Sequence, residues 1–129
     1  MIRFDYQEPT TLKKTFSLME KHGDDARVIA GGTSLIIMMR QRLLMPKVVI
    51  SLGRIPKFDR IAYNAKEGLR IGAGGGHRDI ELSAAVKKHY PLLHETFRKV
   101  AQPRIRNMGT VGGNLAAGDP LTDPGASLI

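Results

Sequence analysis

The spacing of apolar positions divides this chain into two differently patterned halves. In the first, Leu12, Phe16 and Met19 recur at helical spacing behind Glu8-Pro9-Thr10-Thr11, which predicts a threonine-capped amphipathic helix over Thr11–Lys21. Gly23-Asp24-Asp25 closes it. Arg27–Ala30 is a short apolar strand running into Gly31-Gly32-Thr33-Ser34. Thr33 or Ser34 then caps a helix over Leu35–Met45, which Pro46 ends because proline lacks the donor that a helix requires. Val48, Val49 and Ile50 form a β-branched run within a predicted strand, Lys47–Leu52. This half reads β-α-β-α-β.

The second half opens on two short strands, Phe58–Tyr63 and Leu69–Ile71. The turn residues between them predict an antiparallel hairpin. Gly72–Gly76 leads into a helical stretch from His77 to about Lys88. Pro91 then suits the first turn of a helix over Leu92–Ala101, with Leu92, Leu93, Phe97, Val100 and Ala101 on its buried face. Gln102-Pro103 stops that helix and delivers the chain to Arg104–Asp123, a stretch read as a glycine loop. Asp123–Ile129 has the look of a helix's opening turn, too short to stand alone.

Arg104–Asp123 carries candidate chemistry. It holds Gly109, Gly112, Gly113 and Gly118, with Thr110 and Asn114 among them and Asp119 and Asp123 near its end. Glycines let a backbone approach a ligand closely, and a run of N–H groups facing one way makes a nest for an anion, often a phosphate. A later carboxylate could accept a hydrogen bond from a ribose hydroxyl. A plain surface loop is the alternative. Val28-Ile29-Ala30-Gly31-Gly32-Thr33-Ser34-Leu35 adds a second such place, where a strand ends in two glycines and a hydroxyl pair before a helix. Two such loops suggest two jaws on one diphosphate. Arg104 and Arg106 could neutralise that charge, or equally form salt bridges or face a partner.

Ala-Gly-Gly-Thr-Ser-Leu at 30–35 and Ile-Arg-Asn-Met-Gly-Thr-Val-Gly-Gly-Asn-Leu at 105–115 resemble the FAD-binding subunit of the molybdenum hydroxylases. That family holds the medium chain of carbon monoxide dehydrogenase and the flavin domain of xanthine dehydrogenase. Ile50–Ile55 and Leu69–Ala73 match its pattern in the same order, so the resemblance covers nearly the whole chain. It implies an α+β fold, the FAD-binding domain of the PCMH type. Residues 1–54 would form an N-terminal βαβαβ subdomain and residues 55–129 the first part of an antiparallel-sheet subdomain, truncated before its end. It also implies that Ala30, Gly31, Gly32, Thr33, Ser34 and Leu35 hold the FAD diphosphate from one side. Thr110, Gly112, Gly113 and Asn114 hold it from the other, while Val100 and Ala101 pack against the cofactor and Asp123 reaches its ribose or diphosphate. The implied role is electron transfer beside an iron–sulfur small subunit and a molybdopterin large subunit, on to an acceptor, with no catalytic side chain of its own. A truncated, non-catalytic docking module of the same complex is the alternative.

Composition adjusts this reading only in part. The 129 residues are one domain's worth and 42% hydrophobic, enough for a core. There is no cysteine, so cysteine-ligated clusters and disulfides are excluded from this sequence. The net charge of +8 is spread over both halves and admits an anionic cofactor, an acidic partner or nucleic acid. Aromatic residues make up only 5%, few for a protein that stacks bases, so nucleic acid is the less favoured partner. Leu35–Met39 is too short an apolar run to span a bilayer and no leader pattern opens the chain, which predicts a cytoplasmic protein. Gly72–Gly76 fails the dinucleotide fingerprint at His77. His22, His77, His89 and His94 lack the spacing of a helical metal site and are expected at the surface.

Overall fold

A computed structural model describes residues 3–119 and 124–129. The first half is a three-stranded parallel sheet. Strands β1 (Asp5–Gln7), β2 (Ala26–Ile29) and β3 (Val48–Ser51) lie in the order β1-β3-β2, with Val48 paired to both Asp5 and Ala26. The central β3 is buried along its whole length, which its β-branched run suits. Helix α1 (Leu12–His22) connects β1 to β2. A threonine caps it, as expected: Thr11, which accepts the Lys14 N–H at 3.2 Å, so that the helix begins one residue later than the predicted Thr11. Its buried side is Thr15 and Leu18, packed over Ala26, Val48 and Ile50, whereas Leu12, Phe16 and Met19 are 43%, 61% and 41% exposed. The apolar stripe thus has the right period and faces away from the sheet.

Helix α2 (Leu35–Arg40) is shorter than the predicted Leu35–Met45. Arg42 takes a φ of 61°, and the Leu43 and Leu44 N–H groups both donate to the Met38 carbonyl. The helix has therefore ended several residues before Pro46.

The second half begins with the antiparallel hairpin β4 (Ile61–Asn64) and β5 (Gly68–Ile71), in which Ile61 pairs with Ile71. Its first strand starts at Ile61, not Phe58, because residues 55–60 are turns. The predicted helix from His77 to Lys88 is two, α3 (His77–Leu82) and α4 (Ala84–His89). Ser83 separates them: its N–H donates to the Ile80 carbonyl, and its hydroxyl accepts the Val86 N–H as the cap of α4. Helix α5 (Pro91–Lys99) starts on its proline as expected, but Leu92 is 73% exposed and Ala101 lies beyond the helix end. Phe97 on α5 is wholly buried with Ile80, Val86, Leu93 and Val111, a burial worth about 1.5–3 kcal/mol for a side chain of its kind.

The stretch after α5 departs most from expectation. Pro103 does not merely stop one helix; it opens the next, α6 (Pro103–Met108), where its fixed φ fits the first turn. The predicted glycine loop is largely a further helix, α7 (Val111–Ala117), capped by Thr110 and ended by Gly118 in the left-handed conformation at φ 61°. The short α8 (Pro124–Ser127) follows the expected opening turn near the end of the sequence. Among the described residues, no helix is long and apolar enough to cross a membrane.

Candidate functional site

The end of β2 meets the junction of α6 and α7 because Gly31 has no side chain. A Cβ at position 31 would run into the Met108 carbonyl and Gly109, so only glycine lets the two backbones touch. A third segment joins them. Thr110 bridges Gly76, the His77 N–H donates to the Gly109 carbonyl at 2.9 Å, and the Gly112 N–H donates to the Ala73 carbonyl at 2.8 Å. Three glycine-rich segments, 30–35, 72–76 and 109–114, thus converge from both halves of the fold.

Between them lies a cleft of about 620 Å³, a size in the range of small-molecule and cofactor sites. Ala30, Gly31, Gly32, Thr33, Ser34 and Leu35 line it from one side. Val100, Ala101, Thr110, Gly112, Gly113 and Asn114 line it from the other. Asp123 lies outside the described residues. The cleft opens beyond the carboxyl end of a parallel strand, the usual place for a ligand on such a sheet.

The two glycine motifs differ in what they offer. In the first, the α2 ladder opens with the Ile36 N–H bonded to the Gly32 carbonyl and the Met38 N–H bonded to that of Ser34. The N–H groups ahead of that ladder are the ones a helix cannot satisfy internally. The Ser34 hydroxyl makes no capping bond. Gly32 itself serves the turn: its φ is 73°, and a Cβ there would press on Ile29 and Ile36.

The second motif is not the open nest its glycines suggest. The N–H groups of Val111, Gly112 and Asn114 donate to the carbonyls of Gly75, Ala73 and Thr110, and that of Gly113 donates to Thr110 Oγ1 at 3.1 Å. What this side presents is the side chains of Thr110 and Asn114 and the close backbone of α7.

No Lys, Arg, Asp or Glu is among the described residues lining the cleft. Arg104 is exposed and not part of the wall. Arg106 is buried and takes the salt-bridge alternative, its Nε donating to Glu81 Oε2 at 2.9 Å. Its Nη1 also donates to the carbonyls of Val100 and Ala101 at 2.8 and 3.0 Å, and Arg78 holds the other Glu81 oxygen at 2.8 Å. Burial pushes the Glu81 carboxyl up, but the hydrogen bonds and charges of Arg78 and Arg106 outweigh it and hold the group below its ordinary value.

His77 corrects a sequence expectation. It is 3% exposed, not a surface histidine, and its ring packs edge-on against Phe97 with centroids 5.2 Å apart. Burial lowers its pKa, while the Thr110 backbone beside the ring pulls weakly the other way; neither ring nitrogen completes a hydrogen bond. His77 and Ala73 both line the cleft. The sequence signal for them was Gly72–Gly76, whose failed dinucleotide fingerprint hid a real place in the wall. Among the described residues no group of three or more His, Cys, Asp or Glu is placed to hold a metal ion.

Comparison with known proteins agrees across the whole chain. The family model described as FAD binding domain in molybdopterin dehydrogenase matches residues 2–129. The carbon monoxide dehydrogenase medium chain of Hydrogenophaga pseudoflava is 36% identical over 127 residues, covering 98% of this chain and 44% of that protein. The nicotine 6-hydroxylase medium subunit of Paenarthrobacter nicotinovorans is 40% identical over 114 residues, 88% of this chain and 40% of the relative. Among solved structures, the H. pseudoflava carbon monoxide dehydrogenase lacking the Mo-pyranopterin moiety superposes with a TM-score of 0.89 at 38% identity. That match covers 96% of this chain and 44% of the other. The chain therefore spans less than half the length of the relatives it matches.

Proposed function

The chain belongs to the family of FAD-binding domains of molybdopterin dehydrogenases, and on that premise we propose that its cleft holds FAD in the electron-transfer subunit of a molybdenum hydroxylase. The observation that carries the reading is the meeting of both glycine motifs on one cleft of cofactor size. The donor set fits a diphosphate. With no cationic side chain in the described wall, an anion there is met by the first-turn N–H groups of α2, the hydroxyls of Thr33 and Ser34, and the Thr110 O–H. Ala30, Gly31, Gly32 and Leu35 bring that backbone close. Gly112 and Gly113 let α7 approach from the other side, and Asn114 adds a polar side chain. Val100 and Ala101 supply apolar contact. Asp123 keeps its proposed part toward the ribose or diphosphate.

When bound, FAD supplies the redox chemistry. The chain's own work is to orient it and to exclude water from the buried wall around His77 and Val100. The wider role is transfer of electrons from an iron–sulfur small subunit, fed by a molybdopterin large subunit, to an acceptor. The medium-chain names of the relatives support such an assembly. We place it in the cytoplasm.

The test is to purify the natural full-length protein and titrate it with FAD, following flavin absorbance and fluorescence. Saturable, stoichiometric uptake is expected. A protein that assembles with its partner subunits yet never carries flavin would leave only the docking role.

A further inference from the structure

We propose that Arg106 is a positioning residue for the cofactor: it holds the Val100–Ala101 turn so that this part of the wall faces the cleft without its carbonyl oxygens. The inference rests on the FAD reading above. Ala101 has a φ of 43°, a left-handed conformation that a residue with a side chain adopts only when its surroundings impose it. What imposes it here is one guanidinium. Nη1 of Arg106 binds both carbonyls of the turn, and Nε binds Glu81. Glu81 is fixed in turn by Arg78 from one helical turn away. Arg106 is 8% exposed and Glu81 9%, so neither is free to swing into solvent.

Val100 and Ala101 line the cleft, whereas Arg106 does not. Both carbonyls are therefore directed at a group behind the wall. Released, they could turn toward the cleft, where oxygens would repel an anionic, acceptor-rich ligand. A lysine retains the charge but lacks the planar fork that serves a carboxylate and two carbonyls at once.

The experiment is a double-mutant cycle in the natural full-length protein with Arg106→Lys, Ala101→Gly and their combination. FAD affinity is read by fluorescence, the bound flavin by its visible circular dichroism, and the fold by thermal melting. Arg106→Lys is expected to weaken FAD binding by about tenfold or more and to alter the flavin dichroism. In the Ala101→Gly background the same change should cost about threefold or less, because glycine adopts positive φ without a side-chain penalty. If Arg106→Lys does not fold, Glu81→Gln replaces it in the cycle, since it keeps the shape but removes the charge that anchors the guanidinium.

Equal binding and dichroism in Arg106→Lys and wild type overturn the proposal. So does strict additivity, which would make Arg106 a stabilising residue with no hold on the turn. A wild-type protein that takes up no FAD overturns the cofactor reading itself, and this inference with it; a wild type that binds while the cycle is flat overturns this inference alone.

Discussion

Ala30–Leu35 and Thr110–Asn114 look alike as sequence and differ as structure. Each pairs two glycines with a hydroxyl residue just ahead of a helix. In the first, the glycines make a turn that leaves donors ahead of the helix ladder. In the second, they lie inside a helix whose every N–H from Val111 to Asn114 is bonded within the protein. Glycine at 112 is there to let α7 lie against the Ala73 carbonyl, since a Cβ would approach that oxygen to 2.6 Å. One motif leaves backbone donors, whereas the other leaves only side chains on a closely approaching helix. A glycine-rich string thus states that backbones come close, but not whether they come close to a ligand or to each other.

The contrast can be broken most forcefully at its packing. Gly31→Ala and Gly112→Ala each drive a methyl group into backbone, so each should destabilise the fold by about 1–3 kcal/mol or more, read as a lowered melting temperature. If either variant melts like the wild type, the close approach is not required. Thr110→Val removes the α7 cap and should cost about 0.5–2 kcal/mol of stability whether or not FAD is present. Ser34→Ala, on the open side, should weaken FAD binding by about 0.5–1.5 kcal/mol while leaving the melting temperature of the FAD-free protein unchanged. An equal loss of stability from Ser34→Ala and Thr110→Val would erase the distinction between the two motifs.

The smallest effect is in pH. His77 is held below its ordinary pKa of 6.5 by burial, so the unfolded chain takes up its proton first. Its contribution is fully present above pH 6.5 and is lost as the pH falls through that value toward the depressed one of the folded state. Thermal melts between pH 5 and pH 7.5 should show this slope in the wild type and a shallower one in His77→Leu. Parallel slopes would mean that the acid sensitivity in this range does not arise from His77; Glu81, whose lowered pKa acts below its ordinary 4.5, adds its own loss only at lower pH.

Much of the fold was legible because it rests on local signals. Thr11 capped its helix, Pro91 opened its own, and Val48–Ile50 made the buried central strand. The errors occurred where a local signal has two outcomes. Proline at 103 ends one helix or begins another, and the second prevailed because α6 packs against α3. Ser83 is unremarkable as sequence, yet it splits a helix by capping in both directions. The apolar stripe of α1 has the correct period, but the sheet beneath accepts Thr15 and Leu18 and leaves Phe16 outside. At the candidate site, both motifs stood out by residue type, and both line the same cleft. The burial of His77 and the Arg106–Glu81 bond were not legible, since each depends on a neighbour brought in from a distant part of the chain, and the two Arg106 bonds to Val100 and Ala101 depend on a turn between α5 and α6 that no residue type announces.

The contact of Gly31 with Met108 and Gly109 also bears on the order in which the molecule forms. The hairpin and the helix pairs close short stretches of chain and can form early. The two faces of the cleft come from opposite ends of the sequence, and bringing them together carries the larger loop-closure entropy. If that closure follows the barrier, folding and unfolding rates measured with and without FAD will show it. A ligand that grips both faces would in that case leave the folding rate almost untouched and slow the unfolding rate instead, so the bound cofactor would act as a kinetic lock on the finished fold.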